Sequence, residues 1–178
     1  MSGHSKWSQI KHRKGIADQK KGQLFSKLSK LISIAARKGL DPDTNLDLKN
    51  AIEKARSFNM PIENIERAIK SAVEKNSSQL EELRIEAMGQ GGIAFIIEAI
   101  TDNRNRTIGE IKNIFKDYGV KMVQLGTLLW MFERNGLEFI PKIPIKISDG
   151  KIKEKIYKFL EELDEQEDVK GIYSNINL

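Results

Sequence analysis

The side chains able to do chemistry are few and unevenly placed. His4 and His12 are the only histidines, and the sole carboxylate within the first forty residues is Asp18. A zinc site takes three or four ligands at close spacing, and nothing near these histidines completes one. The chain has no cysteine, which excludes disulfides and thiolate metal sites. The GxSxG, HExxH and P-loop patterns are absent. Gly89-Gln90-Gly91-Gly92 looks like a phosphate loop, yet an apolar β-rich run (Ile93–Ala99) follows it rather than a helix N-terminus. It reads as a hairpin turn. The expectation is therefore no enzyme, no metal, no cofactor and no small-molecule substrate.

Cations are the abundant resource. The first forty residues hold ten of the thirty Lys and Arg and one of the twenty-five Asp and Glu, giving them +9, while the rest of the chain carries −4. Such asymmetry points to a polyanionic partner. Lys6, Lys11, Arg13, Lys14, Lys20 and Lys21 are spread along this segment, with Trp7 and His12 among them. Ammonium and guanidinium groups neutralise phosphates and release counterions, and an exposed indole can stack on an unpaired base. Lys27 and Lys30 extend the track. A merely solubilising tail would need less charge. The alternative partner is an acidic protein, which would make the chain an interaction module.

A second candidate is Asp102-Asn103-Arg104-Asn105-Arg106-Thr107. Arginines in the first turn of a helix oppose its dipole, so helix stability does not explain Arg104 and Arg106. Guanidinium groups at a helix N-terminus can hold phosphate. They can equally pair with carboxylates of a neighbouring sheet while Asp102 or Asn105 caps the helix. Both readings stay open. The acidic run Glu161–Asp168 is a solvated helix end and loop.

The elements that must position these residues follow from periodicity. Residues 1–22 lack a period and are interrupted by Gly3, Gly15 and Gly22, which predicts a basic arm. Leu24, Leu28, Leu31, Ile32 and Ala35 then fall on one helical face, with Gly39 placed to end the helix. Asn45 is set to cap a second helix burying Leu48, Ala51, Ile52, Ala55 and Phe58. Pro61 opens a third at its first position, with Ile62, Ile65, Ala68, Ile69, Ala72 and Val73 as its stripe. This bundle spans 23–75 and a polar linker 76–79. Glu63 and Glu66 near the start of the third helix, which is neutral overall, disfavour base reading by a recognition helix.

The pattern changes after the linker. Strands are predicted at Leu83–Glu86, Ile93–Ala99, Thr127–Glu133, 137–140 and Val169–Tyr173. Helices are expected over about 105–118, closed by Gly119, and from Ser148 to Leu163. Asn135-Gly136 signals a hairpin. Residues 80–178 thus make an α+β domain, ferredoxin-like in type, with helices against one face of a mainly antiparallel sheet. No apolar run reaches membrane-spanning length and no secretory leader is evident, so a cytoplasmic location is expected.

The segments GHSKW, IKHRKG, DPDTN, NMP and TDNRNRT resemble the YebC/PmpR family, which includes the mitochondrial translational activator of cytochrome c oxidase. The resemblance implies a helical N-terminal domain, α/β domains after it, no enzymatic activity and a role in gene expression. Bacterial members are described as DNA-binding transcriptional regulators, the mitochondrial ones and some bacterial ones as translation factors. The implied partner is DNA, or ribosomal RNA within the ribosome. Two departures stand out. Ala87-Met88-Gly89-Gln90-Gly91-Gly92 occupies the place of the family's usual Tyr-Gly-Pro-Gly-Gly. Only IPKIPIKISDG bridges the position of a third subdomain, which is expected to be missing.

Overall fold

The computed structural model describes residues 18–73, 79–135 and 138–177. Within them the chain divides into two compact units, residues 18–82 with 100–104, and residues 83–99 with 105–177.

The first unit is helical. Its helices are α1 (Asp18–Ala36), α2 (Leu46–Ser57) and α3 (Ile62–Ser71). Helix α1 includes residues 18–22, which the sequence assigned to the arm. Gly22 costs a helix interior about 1 kcal/mol relative to Ala, and packing of Leu24 and Phe25 against the core just beyond it outweighs that. Leu28, Ile32 and Ala35 of α1 meet Leu48, Ala51, Ile52 and Ala55 of α2 and Ile65 and Ala68 of α3. Ala68 lets α3 come close enough for the buried Ser33 hydroxyl to donate to the Ala68 carbonyl at 2.8 Å and to share a 2.7 Å bond with Ser71.

Three expectations for this unit need adjustment. Pro61 is the N-cap rather than the first helical residue, because its ψ of 143° is extended. Ile62 and Val73, the two ends of the predicted stripe, are exposed; at a helix terminus fewer turns are available to cover a side chain.

Asn45 caps α2 as expected and does more. Its Oδ1 accepts from the Leu48 N–H at 3.1 Å, while Nδ2 donates to the carbonyls of Ala35 at 2.8 Å and Gly39 at 2.7 Å. One buried amide thus closes the end of α1 and opens α2.

The second unit is α+β. Strands β1 (Glu81–Met88), β2 (Ala94–Thr101), β3 (Lys121–Val123) and β7 (Val169–Ser174) form a sheet in the order β3-β1-β2-β7. β1–β3 and β2–β7 pair antiparallel. β1 and β2 are neighbours joined by a five-residue link, too short for a parallel crossover. There Gly91 and Gly92 take φ of 69° and 77°, left-handed values suited to glycine. Helices α4 (Arg104–Tyr118) and α5 (Gly150–Glu165) cover one face. Phe159 of α5 sits at its centre, with ring centroids 5.0 Å from Phe95 and 5.2 Å from Tyr118.

The other face carries Ala94 and Ile96 under Leu128, Phe132 and Phe139. Phe132 and Phe139 belong to the antiparallel hairpin β4 (Phe132–Asn135) and β5 (Glu138–Pro141). Burial on both faces explains why β2 reads as an almost unbroken apolar run. Short β6 (Ile145–Lys146) pairs parallel with β8 (Ile176–Asn177). Among the described residues, a short connection containing β6 joins β5 to α5.

The predicted strand Thr127–Glu133 is instead a turn and a 3-10 segment (Leu129–Met131) leading into β4. The cause is Glu86, buried in β1, whose carboxylate accepts from the N–H groups of Gly126 at 2.8 Å and Leu128 at 2.7 Å. Those donors are bent toward a side chain and cannot join a ladder. Asp149 rather than Ser148 caps α5, accepting from Lys151 N–H at 2.7 Å. β3, β6 and β8 are too short to leave a periodic signal.

Asn45→Ala removes a cap and leaves two carbonyls without their donor, so unfolding of the helical unit should become easier by about 2 kcal/mol. Asp is ordinarily as good a cap as Asn, yet Asn45→Asp should not rescue, since a carboxylate would face two carbonyl oxygens. Chemical denaturation followed by helical circular dichroism would measure both; full stability in the Asp variant would contradict the dual role.

Candidate nucleic-acid interface

Six of the predicted contacts, Lys6, Trp7, Lys11, His12, Arg13 and Lys14, lie outside the described residues, and the Lys20 side chain does too. The remaining N-terminal candidates are on α1. Lys21 is exposed, its Nζ 5.7 Å from the centroid of the Phe25 ring. Lys27 and Lys30 are half-buried. At 100° per residue they project from a different side of α1 than Lys21, so the three do not form a single ridge.

Phe25 also lines an open cleft of about 300 Å³ between α1 and α3, together with Ser26, Ser29, Asn64, Arg67 and Ser71. Small side chains on both helices leave this space. Hydroxyl, amide and guanidinium groups line part of it, although the Ser71 hydroxyl is engaged with the Ala68 carbonyl at 2.8 Å. Sequence reasoning does not single out Arg67. The faint signal is the row Ser26, Ser29 and Ser33, polar where a core stripe would be apolar.

Two other cations of α1's C-terminal end serve the unit itself. The Arg37 guanidinium donates to the Leu80 carbonyl at 2.6 Å. Lys38 binds Asp47 at 2.6 Å, and that hydrogen bond holds its pKa above the ordinary lysine range.

Arg104 and Arg106 stand at the start of α4, where the sequence leaves two readings open. Arg104 is half-exposed and 3.7 Å from Glu81. Arg106 lies 2.9 Å from Asp168 and 3.4 Å from Glu167. Asp168 is buried and also accepts from the Thr107 hydroxyl at 2.7 Å. The Gln166 side-chain oxygen receives the N–H groups of Asp168 at 2.8 Å and Val169 at 2.9 Å. Asn105 is inside the helix rather than at its cap, and the buried Thr101 hydroxyl accepts from Asn103 N–H at 2.9 Å. The Arg106 guanidinium and Thr107 hydroxyl thus clamp α4 to the turn before β7.

On the sheet, Glu98 lies between Arg84 at 3.8 Å and Lys170 at 3.9 Å. Burial, reinforced by Glu98 and Glu138, pushes the Tyr173 phenol well above its ordinary pKa. No cluster of three His, Asp or Glu residues able to hold a metal occurs among the described residues, and none of their helices is long and apolar enough to cross a membrane.

These features define a two-unit protein, helical then α+β, with its positive charge concentrated at the N-terminal end. Family models described as the TACO1/YebC protein N-terminal domain and the TACO1/YebC second and third domain match residues 5–75 and 80–138. The chain belongs to the TACO1/YebC family. A "Probable transcriptional regulatory protein" of Pseudothermotoga lettingae is 44% identical over 94% of the chain and 67% of the relative. One of the same description from Dictyoglomus turgidum is 46% identical over 94% and 68%. Another, from Chloroflexus aurantiacus, is 50% identical over 82% and 59%. The chain therefore spans about three-fifths to two-thirds of these relatives. The crystal structure of a conserved hypothetical protein, Aq1575, from Aquifex aeolicus superposes with a TM-score of 0.85 at 30% identity, covering 97% of both chains.

Arg106→Ala should destabilise the α+β unit by about 1–2 kcal/mol, the lower part of the range for a lost charged hydrogen bond because the guanidinium is partly solvated. Asp168→Ala should cost more, about 3 kcal/mol, since it removes the buried acceptor shared by the Arg106 guanidinium and the Thr107 hydroxyl. Thermal unfolding of both variants tests the clamp; an unchanged Arg106→Ala would remove the structural role of that side chain.

Proposed function

We propose that this chain is a nucleic-acid-binding regulator of gene expression that grips the phosphate backbone through its basic N-terminal segment. The observation that carries this reading is the +9 charge of the first forty residues in a member of the TACO1/YebC family. In this reading Lys6, Lys11, Arg13, Lys14, Lys20 and Lys21 neutralise phosphates, Trp7 stacks on a base, and Lys27 and Lys30 add cations on another side of α1. The cleft beside Phe25, with Arg67 at its wall, offers the same backbone a further hydrogen-bonding site.

Contacts of this kind position a protein on nucleic acid without reading its sequence. The first turn of α3 supports that view, since it carries the acid Glu63 and no basic residue. Weak base readout suits a structured RNA such as the ribosome's at least as well as a promoter. The relatives' names favour transcription. The two targets separate in a sucrose gradient of cell lysate run with and without nuclease. Nuclease-sensitive migration with ribosomal particles would support translation and sink the promoter reading.

Replacing Lys11, Arg13 and Lys14 with Ala should flatten the slope of log affinity against log salt by about 0.7–0.9 for each phosphate no longer neutralised, the smaller value applying to single strands. Filter binding or anisotropy across a salt series measures it. An unchanged slope would retire the segment as the binding element and leave an acidic protein as its partner.

A further inference from the structure

Trp130 is 67% exposed, although burying such a side chain would stabilise the fold. It is not on a loose loop. Glu86 receives two backbone N–H groups of the preceding turn, from Gly126 and Leu128. Leu128 is buried beneath the sheet. On the far side, the Met131 carbonyl accepts from the Lys142 N–H at 2.9 Å, pinning the 3-10 turn to the chain leaving β5. The indole is thus presented to solvent from a backbone tied at both ends, which lowers the entropy cost of any interaction it makes.

The segments on either side of the turn carry lysines, while the one carboxylate that touches it, Glu86, is buried and taken up by the turn's own N–H groups. Residues 119–132 contain Lys121 and no carboxylate, and residues 139–148 contain Lys142 and Lys146 and no carboxylate. Glu133 and Glu138 lie further along the hairpin, opposite Ile140 and Asn135. A flat, exposed π-surface next to Met131, whose carbonyl meets the Lys142 N–H at 2.9 Å, matches an unpaired base with a flanking phosphate.

The geometry points to Trp130 as a nucleobase-stacking site on the α+β unit, taking an unpaired base of single-stranded nucleic acid. This inference rests on the nucleic-acid reading above but adds a second binding site on a different unit. It also predicts a preference for single strands, whose bases are free to stack.

The chain has two tryptophans, Trp7 and Trp130, so Trp7→Phe leaves Trp130 as the sole indole reporter. Titration of that variant with a short single-stranded oligouridylate should quench its emission, and an RNA duplex of equal length should not. In the otherwise unchanged chain, Trp130→Ala should weaken single-strand binding by about tenfold, the size of one base–aromatic stack. The salt slope should stay the same, because stacking releases no counterion. Trp130→Phe should recover part of the loss, and thermal unfolding should confirm that these variants fold. If the unmodified chain binds the oligonucleotide while Trp130→Ala binds equally well and the emission is unquenched, the stacking site is overturned and a protein partner takes its place. The phosphate-backbone reading would survive that result. If the unmodified chain binds neither strand form, both readings fall together.

Discussion

Asp168 is the point on which the α+β unit depends. A carboxylate with almost no solvent exposure persists only if its oxygens are supplied with donors. Here the donors are the Thr107 hydroxyl and the Arg106 guanidinium, from adjacent positions in the first two turns of α4. Gln166 holds the backbone of the same turn. The clamp fixes where β7 begins, and β7 pairs directly with the central strand β2. The edge of the sheet, the start of one covering helix and the end of the other are thereby set by one buried charge.

Glu86 performs the corresponding task on the opposite face. Its carboxylate organises the turn before β4 by accepting two N–H groups that no strand could satisfy. Asn175 does the same at the end of β7, accepting from Ala94 N–H at 2.8 Å and donating to the Gly92 carbonyl. In each case a buried polar side chain replaces a ladder partner for irregular backbone. Such sites cost stability if half-satisfied, and this tightens the geometry around them.

This economy divides the cations into two populations. Arg37, Lys38 and Arg106 contribute to internal hydrogen bonds and ion pairs. A guanidinium engaged that way would give up a native interaction to meet a phosphate, so Arg106 is better explained by the fold than by a ligand. The other eight cations of the first forty residues have only Asp18 as a carboxylate within that segment. Arg67 adds a guanidinium to the wall of an open cleft. That contrast bears on the TDNRNRT motif. Its residues identify the family, yet Thr101, Arg106 and Thr107 work inside the molecule.

Much of the fold was legible because it is local. Apolar spacing located three helices, although α1 begins five residues before the predicted start, Asn45 marked the start of α2, and Gly119, with φ of 69°, ended α4 where expected. The charge asymmetry and the family motifs needed no structure either, since both are properties of the chain's order. What only the tertiary structure decided involves partners far apart in sequence. Whether Arg106 faces solvent or a carboxylate depends on Asp168, 62 residues away. Whether Thr127–Met131 is strand or turn depends on Glu86, about forty residues earlier. The exposure of Trp130 and the cleft beside Arg67 likewise arise from which faces meet. Periodicity reports which side of an element is apolar; it carries no information about which polar atom will stand opposite once the elements pack.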